Sequence, residues 1–231
     1  MRILVVNPNT TASMTALIES CARAAVGPGV TLDAVNPAHG PVSIESHYDE
    51  AVATPYLLSV IGAARGYDGF VIACFGDPGL LAARELVDAP VVGIAEAAMH
   101  TATYLGRSFS VVTTLSRVIG HTWDIAHAYG VASRCAGVHA CEIPVVELET
   151  DPAARATITE ACRQALEQDG SDVIVLGCAG MADLCAKISA ELGVPVVDGV
   201  AAAAAEVEKL VRLGLTTSKR LEFAPPPPKS L

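Results

Sequence analysis

The sequence has few basic residues and no long apolar run. Its 231 residues include 15 lysines and arginines against 25 acidic residues, which gives a formal net charge of −10. Nucleic-acid and anionic-membrane surfaces need clustered basic side chains, so neither partner is expected. No stretch approaches the roughly 20 apolar residues of a membrane span, and the apolar start of the chain is too short for a signal peptide. We therefore expect a cytoplasmic protein that acts on a small molecule.

The usual metal and redox motifs are also missing. No Cys-x-x-Cys pair occurs, and no two histidines have the H-x-x-x-H or H-E-x-x-H spacing. We therefore predict no metal site and no cofactor. Seven cysteines in a chain without an export signal predict free thiols rather than a disulfide framework. Five of them are interpreted as small buried core residues: Cys21, Cys135, Cys141, Cys162 and Cys185. The histidines are interpreted as surface or helix-face residues: His39, His47, His100, His121, His127 and His139.

Short apolar runs alternate with longer segments of helical periodicity. The strand-like runs cover residues 3–6, 69–73, 90–92, 109–112, 173–177 and 194–197. The helical segments cover residues 14–26, 80–87, 95–105, 118–128, 182–192 and 200–213. This alternation indicates an α/β fold with parallel sheets, in which the carboxyl ends of the strands share one edge. A chain with 52% hydrophobic residues is long enough for one large domain or for two lobes of about 100 residues.

The two halves of the chain repeat one pattern. Asp68 precedes an apolar run that ends at Cys74, and Asp172 precedes one that ends at Cys178, so both pairs are separated by 104 positions. Two further strand-like runs recur at offsets of 105 and 106. We interpret the repeat as a duplication that produces two pseudo-symmetric lobes with a cleft between them. Residues 1–95 with about 202–231 form the first lobe, and residues 96–201 form the second.

The paired thiols Cys74 and Cys178 are the best candidates for chemistry. Each is followed by a glycine-containing loop, through Gly76 and Gly180, that leads toward a helix and presents free backbone N–H groups. This environment is expected to lower the thiol pKa from about 8.5. A cysteine that closes a Val/Ile run is commonly a core residue, but two in equivalent positions favour function. A thiolate and a thiol on opposite faces of a carbon beside a carbonyl invert that carbon without a cofactor.

Polar residues follow the matching strands at residues 3–6 and 109–112. We place Asn9 and Thr113 in the pocket, because ligands bind at the carboxyl edge of such sheets. Thr11 is interpreted instead as a helix cap. Asp77 and Pro78 are expected to open the helix that follows Cys74.

Five motifs together resemble the aspartate/glutamate racemase superfamily, and within it the hydantoin and allantoin racemases. They are Asn7-Pro-Asn-Thr-Thr11, Gly40-Pro-Val-Ser-Ile-Glu45 with Tyr48-Asp-Glu-Ala51, Cys74-Phe-Gly-Asp-Pro-Gly79, Thr113-Thr114 with Arg117, and Gly177-Cys-Ala-Gly-Met181. The resemblance extends over nearly the whole chain, to about residue 215. It implies two flavodoxin-like lobes and a cofactor-independent racemase. A homo-oligomeric assembly is a separate expectation, for which the Ala-rich segment at residues 201–205 offers either an interface or ordinary packing against the sheet.

Carried over by position, the resemblance assigns acid/base roles to Cys74 and Cys178. It assigns substrate binding to Asn9, Ser43, Phe75, Gly76, Thr113, Thr114, Ala179 and Gly180. Glu45 lies in a segment that approaches the site in relatives. Phe75, directly after the first thiol, suits a neutral hydantoin ring better than a free amino acid.

Three alternatives remain open at this point. The first is an aspartate or glutamate racemase, and the second is a cysteine-dependent decarboxylase or maleate isomerase of the same superfamily. A paired second thiol disfavours the decarboxylase more firmly than the isomerase. The third is a non-catalytic small-ligand-binding protein in which both cysteines belong to the core.

Overall fold

The computed structural model of the protein describes residues 1–228 and contains two separate four-stranded parallel sheets. The first sheet has the order β2-β1-β3-β4, and the second has the order β6-β5-β7-β8. The strands are β1 (Arg2–Val6), β2 (Thr31–Val35), β3 (Gly69–Ile72), β4 (Val91–Gly93), β5 (Phe109–Thr113), β6 (Cys135–Ala140), β7 (Val173–Leu176) and β8 (Val196–Val197). The predicted α/β fold with two parallel-sheet lobes is therefore confirmed.

Helices connect the strands and cover the sheets. They are α1 (Ala12–Ala25), α2 (His47–Ala63), α3 (Leu80–Leu86), α4 (Ile94–Leu105), α5 (Ile119–Ala128), α6 (Ala154–Asp169), α7 (Cys185–Leu192) and α8 (Gly199–Arg212). Within residues 1–228, no helix combines the length and the apolar character that a membrane span requires. The part of the predicted first lobe at residues 229–231 lies outside the described residues.

Sequence periodicity missed four elements, and they occupy equivalent places in the two halves. β2 and β6 are the outer strands next to β1 and β5, and α2 and α6 lead from them to the third strand of each sheet. In the outer strand β2 only one of five residues, Leu32, is buried. Its sequence therefore shows only a weak alternation of apolar and polar residues. α2 contains Pro55, which obscures its helical pattern.

The pairing registers of the two sheets confirm the internal repeat. Ile3 pairs with Gly69 in the first sheet, and Phe109 pairs with Val173 in the second. Asp68 and Asp172, which precede the two matching apolar runs, also have the same structural role. A carboxylate oxygen of Asp68 accepts a hydrogen bond from the N–H of Arg2 at 2.7 Å, and Asp172 accepts from the N–H groups of residues 107 and 108. Each aspartate therefore fixes the start of the neighbouring strand.

The last helix returns to the first sheet. α8 packs against α1, α4 and β3, and its alanines at 203 and 204 are fully buried in this contact. Core packing therefore accounts for two of the alanines in the Ala-rich segment at residues 201–205. The closest approach is at Gly69, where a Cβ atom would lie 2.3 Å from Cγ1 of Val207. The return of α8 is consistent with the proposed lobe boundaries, which stay a prediction.

We predict that Gly69→Ala destabilises the protein, because the added methyl group pushes α8 away from β3. The expected loss is about 1–3 kcal/mol in the free energy of unfolding, typical of an overpacked core. Gly120→Ala is the matched control: Gly120 is exposed in α5, and a Cβ there meets no atom within 4 Å. It should leave stability unchanged or raise it by up to about 1 kcal/mol. Urea unfolding checks both, and equal midpoints for Gly69→Ala and wild type would contradict the tight contact.

Candidate active site

A cavity of about 170 Å³ lies where strands from both sheets end. Residues that follow β1, β3 and β7 line it, together with the end of β5 and the loop after it. The carboxyl ends of parallel strands collect polar loops and free backbone groups, which is why ligands bind there. The two-lobe arrangement therefore places one shared pocket between the equivalent strands of the repeat.

Eight of the ten predicted site residues line this cavity. They are Asn9, Cys74, Phe75, Gly76, Thr113, Thr114, Cys178 and Ala179. Ser43 is not among the lining residues, although the following Ile44 and Ser46 are. Gly180 is buried and does not line the cavity, although a Cβ atom there would lie 3.7 Å from the Cys178 sulfur. The structure thus brings the predicted residues together, while their roles in binding and catalysis stay predictions.

The two thiols have equivalent surroundings. Cys74 and Cys178 each directly follow the residue whose N–H continues the ladder of their strand, and both are partly exposed at the cavity. In each loop the backbone of the residue two positions later, Gly76 or Gly180, lowers the pKa of the thiol against the effect of burial. Both cysteines line the same cavity, one in each half of the internal repeat.

The prediction that the loops lower the thiol pKa is wrong for the ligand-free protein. Burial raises the pKa of Cys178 to about 12 and raises that of Cys74 further. The glycine N–H groups oppose this effect but do not overcome it, because the dense surroundings withhold solvation from a thiolate. Burial therefore favours the protonated form of both thiols in the ligand-free protein.

The loop that carries Cys74 is anchored by the buried side chain of Asp77. Its carboxylate accepts hydrogen bonds from the N–H groups of Ala95 at 3.0 Å and Glu96 at 2.9 Å, and from the Tyr129 hydroxyl at 2.6 Å. Asp77 therefore caps α4 rather than opening the helix after Cys74, which corrects the sequence prediction. Burial nevertheless raises the pKa of Asp77 to about 6. Gly93 permits this approach, since a Cβ there would lie 2.2 Å from Cγ of Asp77.

α3, the helix after Cys74, begins at Leu80, with Gly79 in the left-handed conformation before it. Asp77 itself has a φ of 46°, which is strained for a non-glycine residue. The three hydrogen bonds to its carboxylate hold it in this conformation. The loop geometry next to the first thiol is thus set by contacts with α4 and Tyr129, which lie far away in sequence.

The loop after β1 is organised by Asn9. Its Oδ1 accepts hydrogen bonds from Nδ2 of Asn7 and from the N–H of Thr11, both at 2.9 Å. Thr11 precedes α1 but makes no side-chain cap; its hydroxyl donates instead to the Val42 carbonyl at 2.7 Å. The cap interpretation of Thr11 is therefore wrong, because the side chain joins two loops. On the opposite wall the Thr113 hydroxyl donates to the Gly177 carbonyl at 3.3 Å.

Glu45 connects the two halves rather than pointing to the ligand space. Its carboxylate accepts the N–H of Val145 at 2.7 Å, and Val145 lines the cavity while Glu45 does not. The helix that follows begins with a reciprocal cap, in which the N–H of Asp49 donates to the Ser46 hydroxyl at 3.1 Å. Asp49 therefore stabilises the start of α2.

Sequence reasoning missed a charged cluster at the mouth of the cavity. His47, Glu50, Arg117 and His121 all line it, so the interpretation of His47 and His121 as plain surface residues is wrong. The Glu50 carboxylate lies 3.0 Å from Nε2 of His121 and raises the pKa of this histidine, against the opposing effect of burial. α2 and α5 belong to different halves, so no sequence spacing could have indicated this pair.

Comparison with known proteins identifies relatives over the full chain. A family model described as Asp/Glu/Hydantoin racemase matches residues 3–207. A hydantoin racemase of Paenarthrobacter aurescens is 42% identical over 233 residues, which covers 99% of each sequence. The structure of an allantoin racemase from Klebsiella pneumoniae matches with a TM-score of 0.98 and 51% identity, over 100% of this chain and 96% of that one. An allantoin racemase from Pseudomonas fluorescens matches with a TM-score of 0.97 and 43% identity, over 100% and 99%.

The family match spans both sheets and both cysteine loops, and it extends into the last helix. The likeness that five short motifs indicated is thereby confirmed over the length of the chain. The chain belongs to the Asp/Glu/Hydantoin racemase family.

Proposed function

We propose that this protein racemises 5-monosubstituted hydantoins, allantoin among them, with Cys74 and Cys178 as its two acid/base residues. One observation carries the proposal: the two thiols follow equivalent strands of a repeated fold and open into the same cavity. Full-length relatives that are hydantoin and allantoin racemases support the substrate class. A cytoplasmic location and a homo-oligomeric assembly stay predictions from the sequence.

The reaction begins when one cysteine, as thiolate, removes the proton from carbon-5 of the hydantoin ring. The electron pair of the broken C–H bond moves into the adjacent carbon-4 carbonyl, which becomes an enolate oxygen. The second cysteine, as thiol, then donates its proton to the opposite face of carbon-5. The product is the other enantiomer, and the protonation states of the two cysteines are exchanged. The same steps in reverse convert the second enantiomer, so the proposed cycle needs no cofactor.

Burial has two opposite effects on this chemistry. It reduces the fraction of enzyme that carries a thiolate at neutral pH, and it makes each thiolate that forms a stronger base. The backbone N–H groups of Gly76 and Gly180 lower the pKa of the two thiols, so we assign them to stabilise the thiolates. The enolate oxygen then needs other donors, and we assign this role to Thr114 and to the backbone N–H groups of Phe75 and Ala179, which line the cavity. Each donor of this kind contributes about 2–4 kcal/mol in comparable sites.

The proposal predicts that Cys74→Ser and Cys178→Ser each lose racemisation by about 10²–10⁴-fold, because each variant lacks one acid/base group. Each should still exchange the carbon-5 proton of one enantiomer, since one working thiol remains. The measurement follows optical rotation and carbon-5 deuterium incorporation together, for each enantiomer of a 5-substituted hydantoin and of allantoin in deuterated water.

Cys21→Ser is the matched control for this experiment. Cys21 is also a free, partly buried cysteine, but it lies in α1 outside the cavity lining, so activity should remain. Full racemisation by either cavity variant would exclude the two-base mechanism. A wild-type protein that inverts aspartate or glutamate and leaves hydantoins untouched would contradict the substrate class while the mechanism stands.

A second prediction concerns the protonation of the free enzyme. Because both cavity thiols have raised pKa values, raising the pH deprotonates them only in the alkaline range. Alkylation of Cys74 and Cys178 by iodoacetamide should therefore accelerate about tenfold per pH unit from pH 7 to 9, without levelling off. Peptide mapping separates these two residues from the other five cysteines. Glutathione is the reference thiol, and a plateau below pH 8 would show that the loops lower the thiol pKa after all.

A further inference from the structure

The cluster at the mouth of the cavity contains three possible metal ligands. One nitrogen of His47, one carboxylate oxygen of Glu50 and one nitrogen of His121 all lie within 4.8 Å of one another. His47 and Glu50 are three positions apart in the first turn of α2, so they share one helix face. His121 reaches them from α5 in the other half. The convergence therefore depends on the docking of the two halves.

The hydrogen bonding of His121 is incomplete. Its Nε2 is buried and lies 3.0 Å from Oε1 of Glu50, but the ring N–H is not aligned with that oxygen. Within residues 1–228 this nitrogen is the one buried side-chain polar atom without a hydrogen-bond partner. Ligation of a cation would give this nitrogen a partner. The ring of His47 meets that of His121 edge-on, with centroids 5.2 Å apart.

Gly76 gives the cluster its space. A Cβ atom at Gly76 would lie 2.0 Å from Oε1 of Glu50 and 3.1 Å from Nε2 of His121. Any side chain at this position would fill the point where the ligand atoms meet. The bare backbone of the Cys74 loop therefore forms one wall of the cluster, and the cavity forms another.

We propose that His47, Glu50 and His121 form a binding site for a divalent transition metal such as Zn²⁺. Two imidazole nitrogens and one carboxylate oxygen are a donor set that suits this ion and leaves one position for water. The ion would join α2 of the first half to α5 of the second across the mouth of the cavity. No sequence motif indicates this site, because His121 lies in α5, far along the chain from His47 and Glu50 in α2.

The test titrates Co²⁺, a spectroscopic substitute for Zn²⁺, into the full-length Cys74→Ser/Cys178→Ser double variant. The double substitution removes the cavity thiols as competing ligands. We expect one equivalent of Co²⁺ to bind with visible d–d absorption, and excess Zn²⁺ to displace it. In the same background, His47→Gln, Glu50→Gln and His121→Gln should each weaken binding by more than about 100-fold, beyond the 10–100-fold typical of a lost outer partner.

His39→Gln is the control, because His39 is an exposed histidine outside the cluster; binding should be unchanged. His47 is also exposed, so His47→Gln keeps the test valid if a variant of the half-buried His121 misfolds. Zn²⁺ at about 100-fold above its dissociation constant should raise the melting temperature by about 5 °C or more in the double variant, but not after His47→Gln. Circular dichroism verifies the fold of each variant.

Two results would overturn the proposal. One is the absence of saturable binding in the double variant, which would mean that any metal binds through the thiols. The other is binding that His47→Gln and His121→Gln leave unchanged, which would place the metal elsewhere. Absorption and melting require no turnover, so these outcomes are independent of whether the protein racemises hydantoins.

Discussion

The carboxylate of Asp77 connects the Cys74 loop to two parts of the fold that are remote from it in sequence. It caps the first turn of α4 and accepts the Tyr129 hydroxyl from the second half. These bonds hold Asp77 in a left-handed conformation and so determine the path of the chain between β3 and α3. The position of the first thiol relative to the second therefore depends on this one buried anion, which Gly93 accommodates by having no side chain.

Burial and hydrogen bonding act against each other throughout the site. Dense surroundings raise the pKa of both thiols, whereas the N–H groups of Gly76 and Gly180 favour the thiolates. A carbon acid such as a hydantoin needs a strong base, and a desolvated thiolate has that property. In the proposed reaction the cavity would combine a low population of thiolate with high basicity, and the two equivalent loops would act on opposite faces of the ligand.

The part of the candidate site that belongs to the internal repeat could be predicted from the sequence. Cys74 and Cys178 stand out because the same apolar run precedes each and a glycine loop follows each, and the structure places both on one cavity. The charged mouth was not predictable, since Glu50 and His121 meet only through the docking of α2 and α5. The thiol pKa was predicted in the wrong direction, because a sequence shows which N–H groups follow a thiol but not how much water reaches it.

The sequence by itself determined the class of fold, the internal repeat and the two cysteines, because apolar periodicity and residue identity are local properties of the chain. It left out β2, α2, β6 and α6, which flank the sheet edges where burial is partial and periodicity is weak. Only the tertiary structure decided that Asp77 caps α4. The tertiary structure also brings the Thr11 hydroxyl to the Val42 carbonyl. It brings the possible ligand atoms of His47, Glu50 and His121 together at the cavity mouth. These features require elements far apart in sequence to meet, and their separation is set by packing of the two halves.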